Sequence, residues 1–371
     1  MGLNEDLIAE PFQIVPRLSQ AERILIVDVS NLAHRAMHAH SDLSYQGRFT
    51  GHIFGSMQMI LGAIKNSIGP GKWQIVWAYD GKGAKAYRQA ILPAYKANRG
   101  GDGKFNPVAD VKAMLTFVPG VHVEAEGFEG DDVIAHTAEL MSNAGKRVTI
   151  LTGDRDMWAL LRFPNVQVYS PNLKRNVTAE DVTRVYHVAG PAQIPLSKAL
   201  FGDASDGISG VFRLTKKHIA PALQDPRICE PMAFRGWFDR QDWHAEVQNA
   251  FELRGEKPPS TKSLDKTLDK LRQSWDQIET NYRVIVPRPW AEFSSSNTVV
   301  PLSDEIQAGL NKHLLWYGCK SLVDQTAVLF GAQSYVNTPD QSFSAEDVDE
   351  EAESAKMNSM YLGTTLPDDP I

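Results

Sequence analysis

The first half of this 371-residue chain alternates short apolar runs with longer amphipathic stretches. Short apolar runs are typical of buried strands, and apolar residues spaced three or four apart are typical of helices. Strands that alternate with helices predict an α/β fold with a mostly parallel sheet flanked by helices. The predicted strands are Arg23–Asp28, Trp73–Tyr79, Val121–Glu124, Arg147–Leu151 and Val166–Tyr169, and the predicted helices are Asn31–His40, Ile53–Ser67, Glu129–Asn143 and Asp156–Leu161. Beyond Asp181 helical patterns prevail, as in the charged stretch Lys262–Tyr282.

The net charge of −7 comes from one end of the chain. Residues 344–371 hold eight acids and one base, so 37 of the 45 acids and 37 of the 38 bases lie elsewhere. A neutral body does not exclude a nucleic-acid partner, which needs Lys and Arg for its phosphates. The apolar runs are too short to span a bilayer, and the N-terminus lacks a secretion signal, so we expect a cytoplasmic protein without a membrane partner. Cys229 and Cys319 lack metal-ligand spacing and are predicted to be free thiols.

Acidic residues follow several of the predicted strands. Asp28 and Asp80 end two of them, and Asp154 and Asp156 come directly after a third. A helix start after a fourth strand carries further acids, which are Glu129, Asp131 and Asp132. Since carboxyl ends of parallel strands meet at one edge of a sheet, we expect these side chains to converge.

Each of these acids alone fits a turn or a helix cap. Together, four elements that place acids at one edge indicate a pocket that needs cations, because like charges at close range repel. All-oxygen ligands favour Mg²⁺ or Mn²⁺ over zinc. Two such ions are a known solution for phosphodiester hydrolysis.

A basic segment interrupts the α/β pattern. Residues 81–107 carry six Lys or Arg against one acid, Asp102. From charge alone, a solvated loop and a substrate-contacting segment both remain open.

Four motifs resemble one enzyme family. Asp28 followed by Asn31-Leu32-Ala33-His34-Arg35, then Gly127 to Ile134, Thr152 to Met157 and Gly202 to Val211 are similar, in this order, to motifs of flap endonucleases and 5′-3′ exonucleases. That family includes free-standing bacteriophage enzymes and the 5′-nuclease domain of bacterial DNA polymerase I. The resemblance implies a PIN-like fold with a helical arch and a helix-three-turn-helix that binds DNA.

The resemblance also implies roles for single residues. Two divalent cations, Mg²⁺ or Mn²⁺, would be held by acids of two sites. The first site would comprise Asp28, Asp80, Glu129 and Asp131 with Asp132 adjacent, and the second Asp154, Asp156, Asp203 and Asp206. Lys96 and Arg99 of the arch would face the scissile phosphate, Tyr95 would stack on a base, and Arg88, Arg213, Lys216 and Lys217 would contact DNA. The family's Gly-x-Gly hairpin is replaced here by Val211 to Thr215, so binding of a monovalent ion there stays open.

The implied function is a structure-sensitive 5′ nuclease, a monomer acting on DNA with 5′ ends, flaps or nicks, or on RNA–DNA hybrids. Two alternatives stay open at this point, a PIN-like ribonuclease and an inactive module that binds branched DNA. A replication protein that binds the acidic end is a further candidate partner. The expected organisation is an extension at 1–20, a catalytic domain at 21–190 with its arch at 81–107, a helical region at 191–335 with its DNA-binding motif at 203–222, and an acidic tail at 336–371.

Overall fold

The computed structural model describes residues 18, 21–68, 73–97, 105–288 and 295–331. Arg99, the acidic tail and all but Leu18 of the expected N-terminal extension lie outside these residues. Every described residue belongs to one compact unit.

A seven-stranded sheet organises the described part of the chain. Five central strands run parallel, and the two at the edges pair antiparallel with their neighbours. The mostly parallel α/β sheet expected from the sequence is therefore confirmed. In spatial order the strands are Ser295–Val300, Gly120–Ala125, Trp73–Ala78, Arg23–Asp28, Arg147–Leu151, Val166–Ser170 and Arg175–Asn176.

Helices cover both faces of the sheet and dominate the second half of the chain. Those of the first half are Val29–Ala39, Gly51–Ala63, Ala86–Ile91, Pro107–Leu115, Gly130–Asn143 and Ala179–Tyr186. Those of the second half are Ile194–Phe201, Lys216–Leu223, Pro231–Phe238, Trp243–Glu252, Thr261–Gln273, Trp275–Ile285, Asp304–Trp316, Lys320–Val323 and Ala327–Gly331. Short 3₁₀ turns occupy Asp156–Arg162, Pro191–Gln193 and Ala204–Asp206, a π turn occupies Ile64–Ile68, and two-residue strands form the pairs Ser44–Tyr45 with Arg48–Phe49 and Gly202–Asp203 with Ile208–Ser209.

The structure corrects two of the predicted elements. The stretch 262–282, expected as one helix, is two helices that meet at Ser274, whose backbone leaves the helical conformation (ψ 12°). The segment Asp156–Leu161 forms a 3₁₀ helix rather than an α-helix.

The sheet separates two apolar clusters. Along the central strand, Ile24 and Ile26 face one cluster and Leu25 and Val27 face the other, as the alternation of side chains in a strand requires. The first cluster includes residues from both sides of residue 190, so the expected boundary there crosses a shared core and the domain division stays a prediction.

Two smaller expectations concern membranes and thiols. Among the described residues, no helix combines the length and the apolar character that crossing a bilayer requires. Cys229 and Cys319 are both free, as the sequence predicted.

Candidate active site

Asp28 and Asp80 lie at the carboxyl ends of neighbouring parallel strands. Asp28 is buried and caps the helix Val29–Ala39, because its Oδ1 accepts from the backbone N–H of Asn31 (3.0 Å). Its Oδ2 accepts from the hydroxyl of Thr152 on the adjacent strand end (2.7 Å). Asp80 is exposed and accepts from the backbone N–H of Gly130 (2.7 Å), which ties it to the start of the helix Gly130–Asn143. Three elements thus meet at this edge.

The start of that helix contributes three acids with different surroundings. Glu129 is the N-cap, and its backbone N–H donates to Asp132 in a capping box. Asp131 points into a cleft that also exposes Asp156 and Asp206. Asp132 is fully buried, with no solvent-accessible surface.

Arg88 fills the space between Glu129 and Asp132. Its guanidinium donates to Glu129 Oε2 (2.8 Å) and to both carboxylate oxygens of Asp132 (2.9 and 2.7 Å). It also donates to the carbonyl of Val284 (2.8 Å), and the backbone N–H of Arg288 donates to Asp132 (3.0 Å). Although burial raises the pKa of Asp132, the hydrogen bonds from Arg88 lower it below its usual value.

Two roles implied by the sequence do not fit this arrangement. Arg88 is only 3% exposed, so its guanidinium is not offered to DNA. Both oxygens of Asp132 are held by Arg88 and by backbone N–H groups, so they are not free to ligate a cation. The sequence could not separate this acid from its neighbours, because its partner lies 44 residues away.

Tyr95 and Lys96 lie folded against the same acids. The hydroxyl of Tyr95 donates to Glu129 Oε2 (2.9 Å), and the ammonium of Lys96 donates to Glu129 Oε1 (2.7 Å) and lies 3.9 Å from Asp206. Lys96 has a left-handed backbone (φ 47°), and its N–H donates to the carbonyl of Asp206. Both side chains are buried, and Tyr95 has no face open to a nucleobase here. Of the expected arch, Arg88, Tyr95 and Lys96 therefore pack onto the acids of the pocket.

A second group of acids lies across the cleft. Asp154 accepts from the backbone N–H of Asp156 (2.8 Å) in the turn after the strand Arg147–Leu151. Carboxylate oxygens of Asp156, Asp203 and Asp206 lie within 4.8 Å of one another, a spacing that fits one shared metal ion. The structure therefore brings together acids that the sequence places about 50 residues apart.

Lys198 is a site residue that the sequence analysis missed. Its ammonium contacts Asp156 and lies 2.5 Å from Asp203, and the side chain is largely buried. Although burial lowers the pKa of Lys198, the two carboxylates raise it above its usual value. The available signal was the one charged residue in the mostly apolar helix Ile194–Phe201, five residues before Asp203.

The pKa values of the acids are raised by burial first and by the crowding of negative charge second. Burial raises the pKa of Asp28 to about 7, with Asp154 and Asp80 adding to the effect. Burial, against the opposing effect of Lys96, also raises the pKa of Asp131 well above its usual range. For Asp156, burial and the charge of Asp154 raise the pKa to about 6 despite Lys198. Carboxyls that resist ionisation together are a donor set that bound cations would stabilise.

The basic residues predicted to bind DNA lie beyond Asp206. The turn there contains Gly207 (φ 72°), and a Cβ at this position would meet the carbonyl of Ala94 at 2.4 Å. Arg213 and Lys216 are exposed, and Lys217, also exposed, pairs with Glu256 (2.8 Å). Three of the four predicted DNA-contact residues therefore face solvent and one, Arg88, does not.

The first half of the chain is similar in sequence to known proteins. Residues 23–187 match the family described as the 5′-3′ exonuclease, N-terminal resolvase-like domain. The chain is 34% identical over 198 residues to the thermostable DNA polymerase I of Thermus filiformis and 32% identical over 211 residues to DNA polymerase I of Mycobacterium leprae. These matches cover 53% and 54% of this chain but only 23% and 22% of the relatives.

Among solved structures, the T5 D15 protein co-crystallised with metal ions has the same fold. The TM-score is 0.50 at 17% identity, and the match covers 83% of this chain and 98% of that one. The fold therefore extends past the segment that the family describes. In sequence, residues 23–187 are similar to the 5′-3′ exonuclease, N-terminal resolvase-like domain.

Proposed function

We propose that the protein is a structure-sensitive 5′ nuclease that hydrolyses DNA phosphodiesters with two divalent cations, Mg²⁺ or Mn²⁺. The observation that carries the proposal is the convergence of carboxylates from separate elements on one cleft at the carboxyl edge of the sheet. The match of residues 23–187 to a 5′-3′ exonuclease domain supports the same chemistry.

Eight acids are the proposed cation ligands. They divide into Asp28, Asp80, Glu129 and Asp131 on one side and Asp154, Asp156, Asp203 and Asp206 on the other. Divalent cations bound there would make a water molecule more acidic and would offset charge on phosphorus. Asp132 is left out of this set, and its proposed role is to hold Arg88, which in turn fixes the position of Glu129.

Lys96 is the proposed catalytic cation of the chain itself. Its ammonium already lies 2.7 Å from one acid of the site and 3.9 Å from another, so a short movement would bring it to a phosphate between them. There it would stabilise the charge that develops on the phosphoryl oxygens. Arg99, in the same segment of the chain, is proposed to stabilise the same developing charge. Tyr95 would stack on a base only after it leaves Glu129.

The substrate is proposed to be DNA with 5′ ends, flaps or nicks, or an RNA–DNA hybrid. Exposed Arg213, Lys216 and Lys217 lie after Asp206, so a duplex bound there would enter the cleft that holds the acids. We propose that residues 21–190 catalyse the cleavage and that residues 191–335 bind the DNA duplex. A monomeric state, action in the cytoplasm and binding of a replication protein by the acidic tail stay predictions.

The test is cleavage of a 5′-flap DNA by the variant Asp154→Ala, with Asp269→Ala as its control. Asp154 is a half-buried acid that accepts from the backbone N–H of Asp156, and Asp269 is an exposed acid on the helix Thr261–Gln273. We expect Asp154→Ala to lose cleavage by at least about a hundredfold while its circular dichroism stays that of the parent, and Asp269→Ala to keep full activity.

Two other outcomes would redirect the proposal. Faster cleavage of an all-RNA substrate than of the DNA flap would favour a ribonuclease. Tight binding of branched DNA without Mg²⁺-dependent cleavage by the parent would favour a binding module.

A further inference from the structure

Thr152 is a buried residue that joins the two groups of acids. It follows the strand Arg147–Leu151, and its side chain has no solvent-exposed surface. Its hydroxyl donates to Asp28 Oδ2 (2.7 Å) and accepts from the backbone N–H of Asp154 (3.0 Å). Asp28 belongs to one group of proposed cation ligands and Asp154 to the other, so a single hydroxyl contacts both groups.

The partners of this hydroxyl fix the direction of both hydrogen bonds. A backbone N–H can only donate, so the hydroxyl accepts from Asp154 and its one proton goes to Asp28. The other carboxylate oxygen of Asp28, Oδ1, accepts from the backbone N–H of Asn31 (3.0 Å). Each oxygen of Asp28 therefore has a fixed donor and keeps a lone pair for a cation.

The turn that follows Thr152 is held against the helix that Asp28 caps. The backbone N–H of Gly153 donates to the side-chain oxygen of Asn31 (2.9 Å). A Cβ at Gly153 would meet that oxygen at 2.8 Å and the guanidinium of Arg35 at 2.9 Å, so the turn and the helix pack closely. The hydroxyl of Thr152 thus lies between two parts of the backbone that are fixed to each other.

Two other hydroxyls donate to acids of the site from exposed positions. Ser30 donates to Asp80 (2.9 Å) and Ser205 donates to Asp203 (2.6 Å). Water can take the place of an exposed hydroxyl, so these two contacts are replaceable. Loss of the buried hydroxyl of Thr152 would instead leave a backbone N–H without its acceptor and a carboxylate without one of its donors.

We propose that Thr152 is a positioning residue that sets the distance between the two cation sites, because its hydroxyl fixes Asp28 of one site relative to Asp154 of the other. Side chains that orient the ligands of a cation typically change its affinity about ten- to a hundredfold when they are removed. The inference rests on the proposed function, and it adds a residue that acts through two ligands without contacting a cation itself.

Calorimetric titration of the full-length protein with Mg²⁺ tests the inference. Thr152→Val nearly keeps the shape of the side chain and removes the hydroxyl. We expect this change to raise the Kd for Mg²⁺ at least about tenfold, and to raise the Mg²⁺ concentration for half-maximal flap cleavage by a similar factor. Thr152→Ser, which keeps the hydroxyl, should restore most of the affinity.

Electron paramagnetic resonance with Mn²⁺ reports the spacing of the two sites. Two Mn²⁺ ions about 4 Å apart, the usual spacing of a two-metal site, are spin-coupled, and the coupling weakens as their separation grows. At saturating Mn²⁺ we expect Thr152→Val to change this coupling and Thr152→Ser to retain that of the parent. The coupling of the parent in Thr152→Val would overturn the inference.

Thr149→Val is the matched control. Thr149 is a buried threonine of the strand Arg147–Leu151, and its hydroxyl accepts from Gln167 Nε2 (2.8 Å). This variant also loses a buried hydrogen bond, so it should be less stable than the parent while it keeps the parent's Kd for Mg²⁺ and its Mn²⁺ coupling. Should Thr152→Val not fold, Thr152→Ala and Thr149→Ala replace the pair, with the same expected difference.

The outcomes separate the inference from the proposed function. If the parent cleaves a flap and Thr152→Val binds Mg²⁺ as tightly as Thr149→Val, the inference is overturned and the proposed function stands. If the change at Thr152 weakens Mg²⁺ binding but the parent cleaves no DNA, the positioning role stands and the proposed function is overturned. If the parent binds no divalent cation, both are overturned.

Discussion

The guanidinium of Arg88 contacts residues from two distant parts of the chain. Its guanidinium bridges Glu129 and Asp132 and also reaches the carbonyl of Val284. The sequence presents Arg88 as one of several cations in a basic segment, and exposure is the usual state of such residues. Its burial depends on partners 41, 44 and 196 residues away, which no local pattern reveals. The same limit explains why Lys198 was missed, whereas acids at strand ends were predicted from the topology.

Replacing Arg88 with Gln should strongly destabilise the protein. The change leaves the buried carboxylate of Asp132 without its cation and Glu129 with Lys96 alone, and breaking a buried ion pair typically costs about 3 kcal/mol or more. Lys82→Gln, at an exposed cation of the same segment, should change the free energy of unfolding by less than about 0.5 kcal/mol. Urea unfolding of the two variants measures the difference, and equal stabilities would show that the Arg88 cluster is not important for the fold.

The raised pKa values of the acids predict opposite effects of pH on stability and on cation binding. In the folded protein the pKa is about 7 for Asp28 and about 6 for Asp156, against the ordinary value of 3.8 for an aspartate. Their contribution to stability is therefore fully present below about pH 4 and is lost as pH rises through about 6 to 7. Without divalent cations, we expect the unfolding temperature to be lower at pH 8 than at pH 5.5.

Cation affinity should change in the other direction, because only the ionised carboxylates act as ligands. Calorimetric titration with Mg²⁺ should give tighter binding at pH 8 than at pH 5.5. The same affinity at both values would contradict the assignment of these acids as ligands.

At the scale of elements, the five central strands were predictable and the two edge strands, Ser295–Val300 and Arg175–Asn176, were not. The observed central strands differ from the predicted bounds by one residue at most, because apolar runs buried on both faces give a strong signal. The edge strand Ser295–Val300 begins with polar residues and lies beyond the α/β pattern, so nothing in its sequence pointed to the sheet. Its place follows from pairing with Gly120–Ala125, far away in sequence.

The packing of the segment 92–97 onto the turn at Gly207 can be tested with two glycines of equal backbone angle. Gly207 and Gly83 both have φ of 72°, but a Cβ would meet the carbonyl of Ala94 at Gly207 and nothing within 4 Å at Gly83. Gly83→Ala should cost about 1 kcal/mol of stability, from the left-handed backbone alone. Gly207→Ala should cost clearly more and should speed tryptic cleavage after Lys96. Equal effects of the two changes would contradict the packing.

At the scale of the whole molecule, residues near the end of the described chain complete the core of the first half. Leu310, Leu314 and Leu329 are fully buried in the cluster that also contains Leu25 and Val27. Burying a leucine contributes about 2 kcal/mol, so these three together approach the total stability of many domains. The sequence suggested a separate helical region because helical patterns do not show which face of a sheet they cover.

Two truncations test this account of the core. Removal of residues 301–371 should prevent folding, because it exposes the apolar face beneath those leucines. Removal of 336–371 should leave the unfolding temperature unchanged, because this acidic segment has few apolar residues to bury in a core. Thermal unfolding followed by circular dichroism distinguishes the two, and a folded 1–300 fragment would contradict the account.

The proposed function requires that the acidic cleft cuts DNA near a 5′ end. A map of the products from 5′-labelled and 3′-labelled flap, nicked and blunt duplexes with Mg²⁺ tests it most directly. We predict cleavage close to the junction of the 5′ flap, with 5′-phosphate and 3′-hydroxyl products, and loss of that cleavage in Asp154→Ala. Digestion from the 3′ end, or cleavage that Asp154→Ala retains, would contradict it.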